Sequence, residues 1–184
     1  MRHRVGQLIG RAKDLAATFR GVCLDVPNRT QIDSYSCGLC SALMVADFYS
    51  IRVPQARISR FDEKHRDGTT AGPLTSFLRG NGLSVRSYSD GSARFATIIN
   101  AINAGMPVIV SVTLPKNLFR REDGEHYVVV CGYDSEYFLV SDPSLVRSLR
   151  GRFRRSRFRT MWNRDALVVS KRRRSQRTRI RGRR

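Results

Sequence analysis

Gln31-Ile-Asp-Ser-Tyr-Ser-Cys37-Gly38 and the apolar run behind it decide how this chain folds. Cys37 stands at the start of a predicted helix, beside backbone N–H groups and the positive end of the helix dipole, which lower the pKa of a thiol. Gln31 places an amide donor six residues upstream. This layout is typical of a thiol nucleophile with an oxyanion donor. The run that predicts a largely buried helix comprises Leu39, Ala42, Leu43, Val45, Ala46, Phe48 and Tyr49.

A thiol nucleophile needs a base, and the chain has three histidines that can supply one. His3 and His65 lie in strongly charged segments. His126 lies at the start of a β-branched run that ends at Gly132, and this pattern predicts a strand. His126 is therefore the candidate base.

A second run, residues 137–142, predicts the partner strand of a hairpin that turns at residues 134–135. Pro143 ends this strand because proline has no N–H to donate to a sheet. Pairing of the two strands carries Asp142 toward His126. A carboxylate there fixes the tautomer of the imidazole and stabilises its cation, while the other ring nitrogen faces the thiol.

Three motifs in this order resemble the C39-like cysteine peptidases of the papain-like fold. They are Gln-x5-Cys-Gly, His-Tyr-Val-Val-Val-x-Gly-Tyr-Asp and Val-x-Asp-Pro-Ser, and the resemblance runs from about Leu24 to Val169. Trp162 and the strand after it are similar to the close of such domains. Ser36 stands where that family often has Asp before the nucleophile. The residue roles that the resemblance implies are nucleophile for Cys37, base for His126, orienting acid for Asp142 and oxyanion donor for Gln31.

In that family the domain often precedes an ABC exporter and removes leader peptides after a double-glycine site. The resemblance therefore implies a peptide or protein substrate, hydrolysis through an acyl-enzyme, and cleavage after small residues such as Gly-Gly. Two other functions stay open at this point. The same triad suits a Cys-dependent acyltransferase or amidase, and an inactive scaffold would leave polyanion binding to the basic end of the chain.

The pair Cys37-Gly-Leu-Cys40 also has the spacing of redox and zinc motifs. A redox motif follows a buried strand, whereas residues 28–36 are polar and turn-like. Cys23, Cys131 and His126 lack the spacing of a closed zinc site. We therefore expect no metal and no cofactor. Four cysteines without a secretory signal favour a reducing compartment, so the expected location is cytoplasmic.

The charge is concentrated toward the C-terminus. Residues 147–184 hold 17 of the 34 Lys and Arg residues but only one acid, Asp165. Residues 171–184 are predicted to be a disordered Arg-rich tail that binds nucleic acid or an anionic membrane surface, or is merely solvated. Phe153 and Phe158 lie among arginines, where they either stack on bases or belong to the core, and the core is favoured.

The domain organisation follows from these patterns. Residues 1–22 are predicted to form an amphipathic basic helix that packs on the domain or binds a surface, and residues 23–170 the peptidase domain. No apolar run approaches the ~18–20 residues of a membrane-spanning helix. The order of patterns predicts an α+β papain-like fold, with an N-terminal helical part packed on an antiparallel sheet. The predicted elements between Cys37 and His126 are a loop and short helix up to Gly80, a helix over 95–104, a strand over 108–114, and a charged loop over 115–124 that borders the cleft.

Overall fold

The computed structural model describes residues 21–114, 124–144 and 150–172. In these ranges the chain forms five helices and seven strands. The helices are α1 Cys37–Phe48, α2 Gln55–Lys64, α3 Ala71–Gly80, α4 Phe95–Asn103 and α5 Arg155–Met161. The strands are β1 Val22–Cys23, β2 Leu83–Tyr88, β3 Val108–Leu114, β4 Gly124–Tyr133, β5 Tyr137–Ser141, β6 Arg150–Arg154 and β7 Trp162–Lys171.

The seven strands form one antiparallel sheet in the order β2-β7-β3-β4-β5-β6, with β1 paired to the end of β4. β4 pairs with β3 from Gly124 to Val130 and with β5 from Val129 onward. The predicted hairpin is confirmed: the Asp134 N–H donates to the Tyr137 carbonyl at 3.0 Å. The α+β class predicted from the sequence is correct.

The sheet separates two apolar clusters, because successive side chains of a strand point to opposite faces. On β4, Val129 and Cys131 belong to the cluster that contains α1. Val128 and Val130 belong to the cluster that α4 and α5 cover. α1 is buried around most of its circumference, which explains why its sequence is apolar on nearly every side.

Two contacts fix the start of α1 against the rest of the domain. The Ser41 hydroxyl donates to the Tyr127 carbonyl of β4 at 3.2 Å. Gly38 lies so close to α3 and the loop before it that a Cβ at this position would meet Thr69 Cγ2 at 2.5 Å and Leu74 Cδ1 at 3.2 Å. A glycine after Cys37 therefore lets the helix start approach its neighbours closely.

Several elements differ from the sequence prediction. α2, α5, β1 and β2 were not predicted, and β2 lies between α3 and α4 in the chain. β2 pairs with β7, whose residues follow about 80 positions later. A local sequence pattern cannot identify a partner strand so far along the chain. Phe153 and Phe158 are buried in the second cluster, which confirms the core interpretation.

Three predictions fall wholly or mainly outside the described residues: the N-terminal helix, the charged loop over 115–124 and the basic tail. At the borders of these regions Val22 belongs to β1 and Lys171 to β7. Across the described ranges no helix is both long and apolar enough to span a membrane.

Candidate active site

The start of α1 is held by Asp33, a residue that sequence reasoning missed. Its Oδ1 accepts the backbone N–H groups of Tyr35 at 2.9 Å and Ser36 at 2.7 Å. These bonds pair two backbone donors just before α1 and thereby fix the turn that leads into Cys37. The available signal was an aspartate a few residues before an apolar helix, a pattern typical of an Asx-turn.

His126 and Asp142 meet as the hairpin predicts. His126 Nε2 lies 2.7 Å from Asp142 Oδ1, and both side chains are almost fully buried. The register pairs Val129 with Ser141, so Asp142, one residue further, lies diagonally across from His126. Because Nε2 faces the carboxylate, Nδ1 is the ring nitrogen left to face Cys37.

The pKa values describe a polarised thiol and imidazole. Burial raises the pKa of Cys37, but hydrogen bonds from His126 and from the N–H groups of Tyr127 and Gly38, together with the His126 charge, bring it below its ordinary 9.0. Burial lowers the pKa of His126, whereas its bonds to Asp142 and Cys37 raise it, for a net rise to about 9. Both shifts favour the charged forms of the two groups, a thiolate beside an imidazolium.

Asp142 remains a carboxylate in this arrangement. Burial raises its pKa, but the hydrogen bond and charge of His126 and the N–H of Ser144, at 2.9 Å, lower it more. A buried carboxylate without such partners would take up a proton instead. Asp142 therefore keeps the negative charge that holds the imidazolium in place.

Gln31 is buried and is tied to the same corner of the fold. Its backbone N–H donates to the Pro143 carbonyl at 2.8 Å, directly after Asp142. Its side-chain Nε2 donates to the Asp33 carbonyl at 2.6 Å, which leaves a second hydrogen on Nε2 for another acceptor. The structure thus assembles the loop that carries Gln31, the start of α1 and the residues after β5.

Cys40, one turn beyond Cys37, differs from it chemically. Burial raises the pKa of Cys40 to about 11, even though the side chain is partly exposed. In the part of the chain that the structure describes, no group of His, Cys, Asp and Glu side chains is arranged to hold a metal ion.

A groove of about 560 Å³ lies between α2 and α3. Phe61, Pro73 and Phe77 contribute its apolar surface, and Arg60 and Lys64 its basic rim. A smaller cleft shares Phe61 and His65 with this groove and reaches Tyr35, Ser36 and Leu39 at the start of α1. The groove and the smaller cleft are therefore neighbours on either side of Phe61 and His65.

Solved structures of C39 peptidase domains share this fold. A double glycine motif protease from an AMS/PCAT transporter, solved with the leader peptide, has 22% identity and a TM-score of 0.60, covering 83% of this chain and 95% of that one. The peptidase domain of Streptococcus ComA has 24% identity and a TM-score of 0.63, covering 79% of this chain and 98% of that one. A C39-like peptidase from Bacillus anthracis has 19% identity and a TM-score of 0.66, covering 85% of this chain and 100% of that one.

No curated protein sequence matches this chain significantly. The profile of the Peptidase_C39 like family matches residues 23–167, which is most of the chain and includes all four predicted site residues. Its members are cysteine peptidases, and the papain-like α+β fold agrees with that assignment. The chain therefore belongs to the Peptidase_C39 like family of cysteine peptidases.

Proposed function

We propose that this peptidase hydrolyses peptide bonds with Cys37 as the nucleophile, His126 as the acid and base, Asp142 as the orienting carboxylate and Gln31 as an oxyanion donor. The proposal depends on the buried series of thiol, imidazole and carboxylate. In this series His126 Nε2 is hydrogen-bonded to Asp142 Oδ1 at 2.7 Å, and His126 is also hydrogen-bonded to Cys37. Three titratable groups in this order match a Cys-His-Asp triad.

In this mechanism the Cys37 thiolate attacks the peptide carbonyl carbon and forms a tetrahedral intermediate. The His126 imidazolium gives its proton to the leaving amine, which departs and leaves an acyl-enzyme on Cys37. His126, now neutral, removes a proton from water, which attacks the thioester and releases the acid. Asp142 keeps the ring oriented and stabilises its charged form in both half-reactions.

The oxyanion of the intermediate needs donors near Cys37. The backbone N–H of Cys37 lies at the first turn of α1, where N–H groups have no partner within the helix. The free hydrogen on Gln31 Nε2 is the second donor, and its bond to the Asp33 carbonyl orients the amide before substrate binds. Each donor of this kind contributes on the order of 3 kcal/mol to the transition state.

The substrate we propose is a peptide whose segment upstream of the cut lies in the groove between α2 and α3. An apolar surface bordered by Arg60 and Lys64 suits an amphipathic segment with acidic side chains. The leader peptide bound to the double glycine motif protease supports this class of substrate. The double glycine motif named for that protease favours Gly-Gly before the scissile bond of the proposed substrate.

The test is incubation of the purified chain and of Cys37→Ala with peptides that carry Gly-Gly after an acidic amphipathic segment, followed by mass spectrometry. Cleavage after Gly-Gly that depends on Cys37, with a transient acyl adduct on the Thr30–Arg52 tryptic peptide, is the expected result. Equal cleavage by Cys37→Ala would reject the mechanism. A stable adduct that transfers only to an added amine would indicate acyl transfer instead.

A further inference from the structure

Cys40 has no part in the proposed mechanism, although it lies on the first turn of α1 after the nucleophile. Its backbone N–H donates to the Ser36 carbonyl at 2.9 Å, the first helical bond of α1. Side chains three residues apart lie on the same face of a helix. The charge of Cys37 raises the pKa of Cys40, in agreement with this placement.

The position of Cys37 allows a disulfide bond to form between Cys37 and Cys40. Residues three apart have Cβ atoms about 5–6 Å apart, whereas a disulfide needs about 3.5–4.5 Å. Cys37 is the first residue of α1, so a small rotation there disturbs only the end of the helix. Cys-x-x-Cys pairs at helix N-termini form disulfides in this way.

The two sulfurs have different reactivity. Cys37 receives hydrogen bonds from His126 and from backbone N–H groups, all of which favour its thiolate. Cys40 has no such donors among its electrostatic partners; Arg29 favours its charged form, but burial and Asp33 oppose it. Cys37 therefore reacts first with an electrophile, and Cys40 remains a protonated thiol one turn away.

We infer that Cys40 is a resolving cysteine, which captures Cys37 in a reversible disulfide after oxidation by a hydroperoxide and so switches the peptidase off. The inference concerns a modification of Cys37 and Cys40 and does not depend on which peptide the enzyme cuts. Its consequence for activity rests on the proposed role of Cys37.

The chemistry balances with the hydroperoxide as the oxidant. The Cys37 thiolate attacks the terminal oxygen, an S–O bond forms, the O–O bond breaks, and the alkoxide leaves and takes a proton from solvent. Cys37 is then a sulfenic acid. The Cys40 sulfur attacks the Cys37 sulfur, an S–S bond forms, and the S–O bond breaks. The oxygen leaves as water with the proton of Cys40, so two electrons pass from the thiols to the peroxide.

Without a resolving thiol the sulfenic acid is exposed to further oxidation. Sulfinic acid is not returned to the thiol by ordinary reductants. A disulfide between Cys37 and Cys40 is returned by thiols. The arrangement therefore changes an irreversible loss of the nucleophile into a reversible one.

The experiment uses the full chain, treated with hydrogen peroxide at near-stoichiometric amounts and digested with trypsin. Cys37 and Cys40 fall in one peptide, Thr30–Arg52, whereas Cys23 and Cys131 fall in others. We expect this peptide to lose two hydrogen atoms and to regain them with dithiothreitol. Peptidase activity should be lost and then recovered in parallel.

Cys40→Ser and Cys40→Ala are the test variants, and Cys131→Ser is the matched control. A second equivalent of hydrogen peroxide should then oxidise the sulfenic acid of the test variants, so that Thr30–Arg52 carries two added oxygen atoms and activity does not return with dithiothreitol. The control should behave as the parent chain. Oxygen addition to Thr30–Arg52 in the parent chain without loss of hydrogen would overturn the inference, as would pairing of Cys37 with Cys23 or Cys131. Because the mass change is read without a substrate, this failure is distinct from absence of peptidase activity.

Discussion

His126 Nε2 and Asp142 Oδ1 lie 2.7 Å apart, with His126 4% and Asp142 3% exposed. In so dry an environment a hydrogen bond between charged groups is strong, and the loss of one partner leaves the other buried and unpaired. The relationship fixes which ring nitrogen of His126 faces Cys37. The effect of any substitution of Asp142 therefore depends on this contact.

Asp142→Ala should lower kcat/KM by roughly 10²-fold or more, because His126 loses both its orientation and the charge that stabilises its protonated form. Asp142→Asn should retain more activity, because an amide oxygen can still accept from Nε2, as in Cys-His-Asn peptidases. Steady-state kinetics on one Gly-Gly peptide measure both. Equal activity of Asp142→Ala and the parent chain would contradict the assigned role.

The pH dependence of kcat/KM should be bell-shaped. On the acid side activity falls when the Cys37 thiolate gains a proton, at a pH below the ordinary thiol pKa of 9.0, because the pKa of Cys37 is lowered. On the alkaline side activity falls near pH 9, where the His126 imidazolium loses its proton. Removal of the charge in Asp142→Asn lowers the pKa of His126, so the alkaline limb should move to lower pH. An alkaline limb that stays in place would argue against this pair.

Gln31→Ala should lower kcat by roughly 10²- to 10³-fold with little change in KM, because an oxyanion donor acts only in the transition state. The backbone bond from residue 31 to the Pro143 carbonyl is kept in this variant, so the loop stays attached. Ile32→Ala is the matched control, since Ile32 is 91% exposed in the same loop. A parallel fall in thermal stability and activity would indicate a structural role for Gln31.

Alkylation should distinguish the thiols. Iodoacetamide near neutral pH should label Cys37 faster than Cys40, because the pKa of Cys37 is lowered and that of Cys40 is raised to about 11. Peptide mapping against time gives the two rates. His126→Ala should slow labelling of Cys37, since the loss of that hydrogen bond and charge raises the thiol pKa. An unchanged rate in this variant would show that His126 does not activate Cys37.

The groove between α2 and α3 should govern substrate affinity rather than chemistry. Arg60→Glu combined with Lys64→Glu should raise KM for a long acidic substrate roughly tenfold, with kcat unchanged, because binding is lost equally in ground and transition states. A short peptide that ends near the Gly-Gly site should be cut as before. Arg86→Glu, on the exposed side of β2, is the control. A loss confined to kcat would place the effect in the active site instead.

Local patterns were sufficient for the elements that carry the chemistry. The burial of α1 follows from its apolar run, and β3 and β4 follow from β-branched runs that end in turn residues. By contrast, the arginine-rich segment around Phe153 and Phe158 has no clear helix or strand pattern, although the burial of both phenylalanines was predicted, and it forms β6 and α5. Their structure depends on pairing with β5 and on packing against the second cluster, which no local window contains.

The sequence was enough to predict that Cys37 begins a buried helix and that a hairpin brings Asp142 toward His126, because helix periodicity and the pairing of two hairpin strands are short-range properties. Two features could be seen only in the folded chain: the bond from the Gln31 N–H to the Pro143 carbonyl, and the groove between α2 and α3. These features depend on segments up to about 110 residues apart. Their contacts exist only after the sheet has assembled, and the free energy that holds them comes from burial rather than from local propensity.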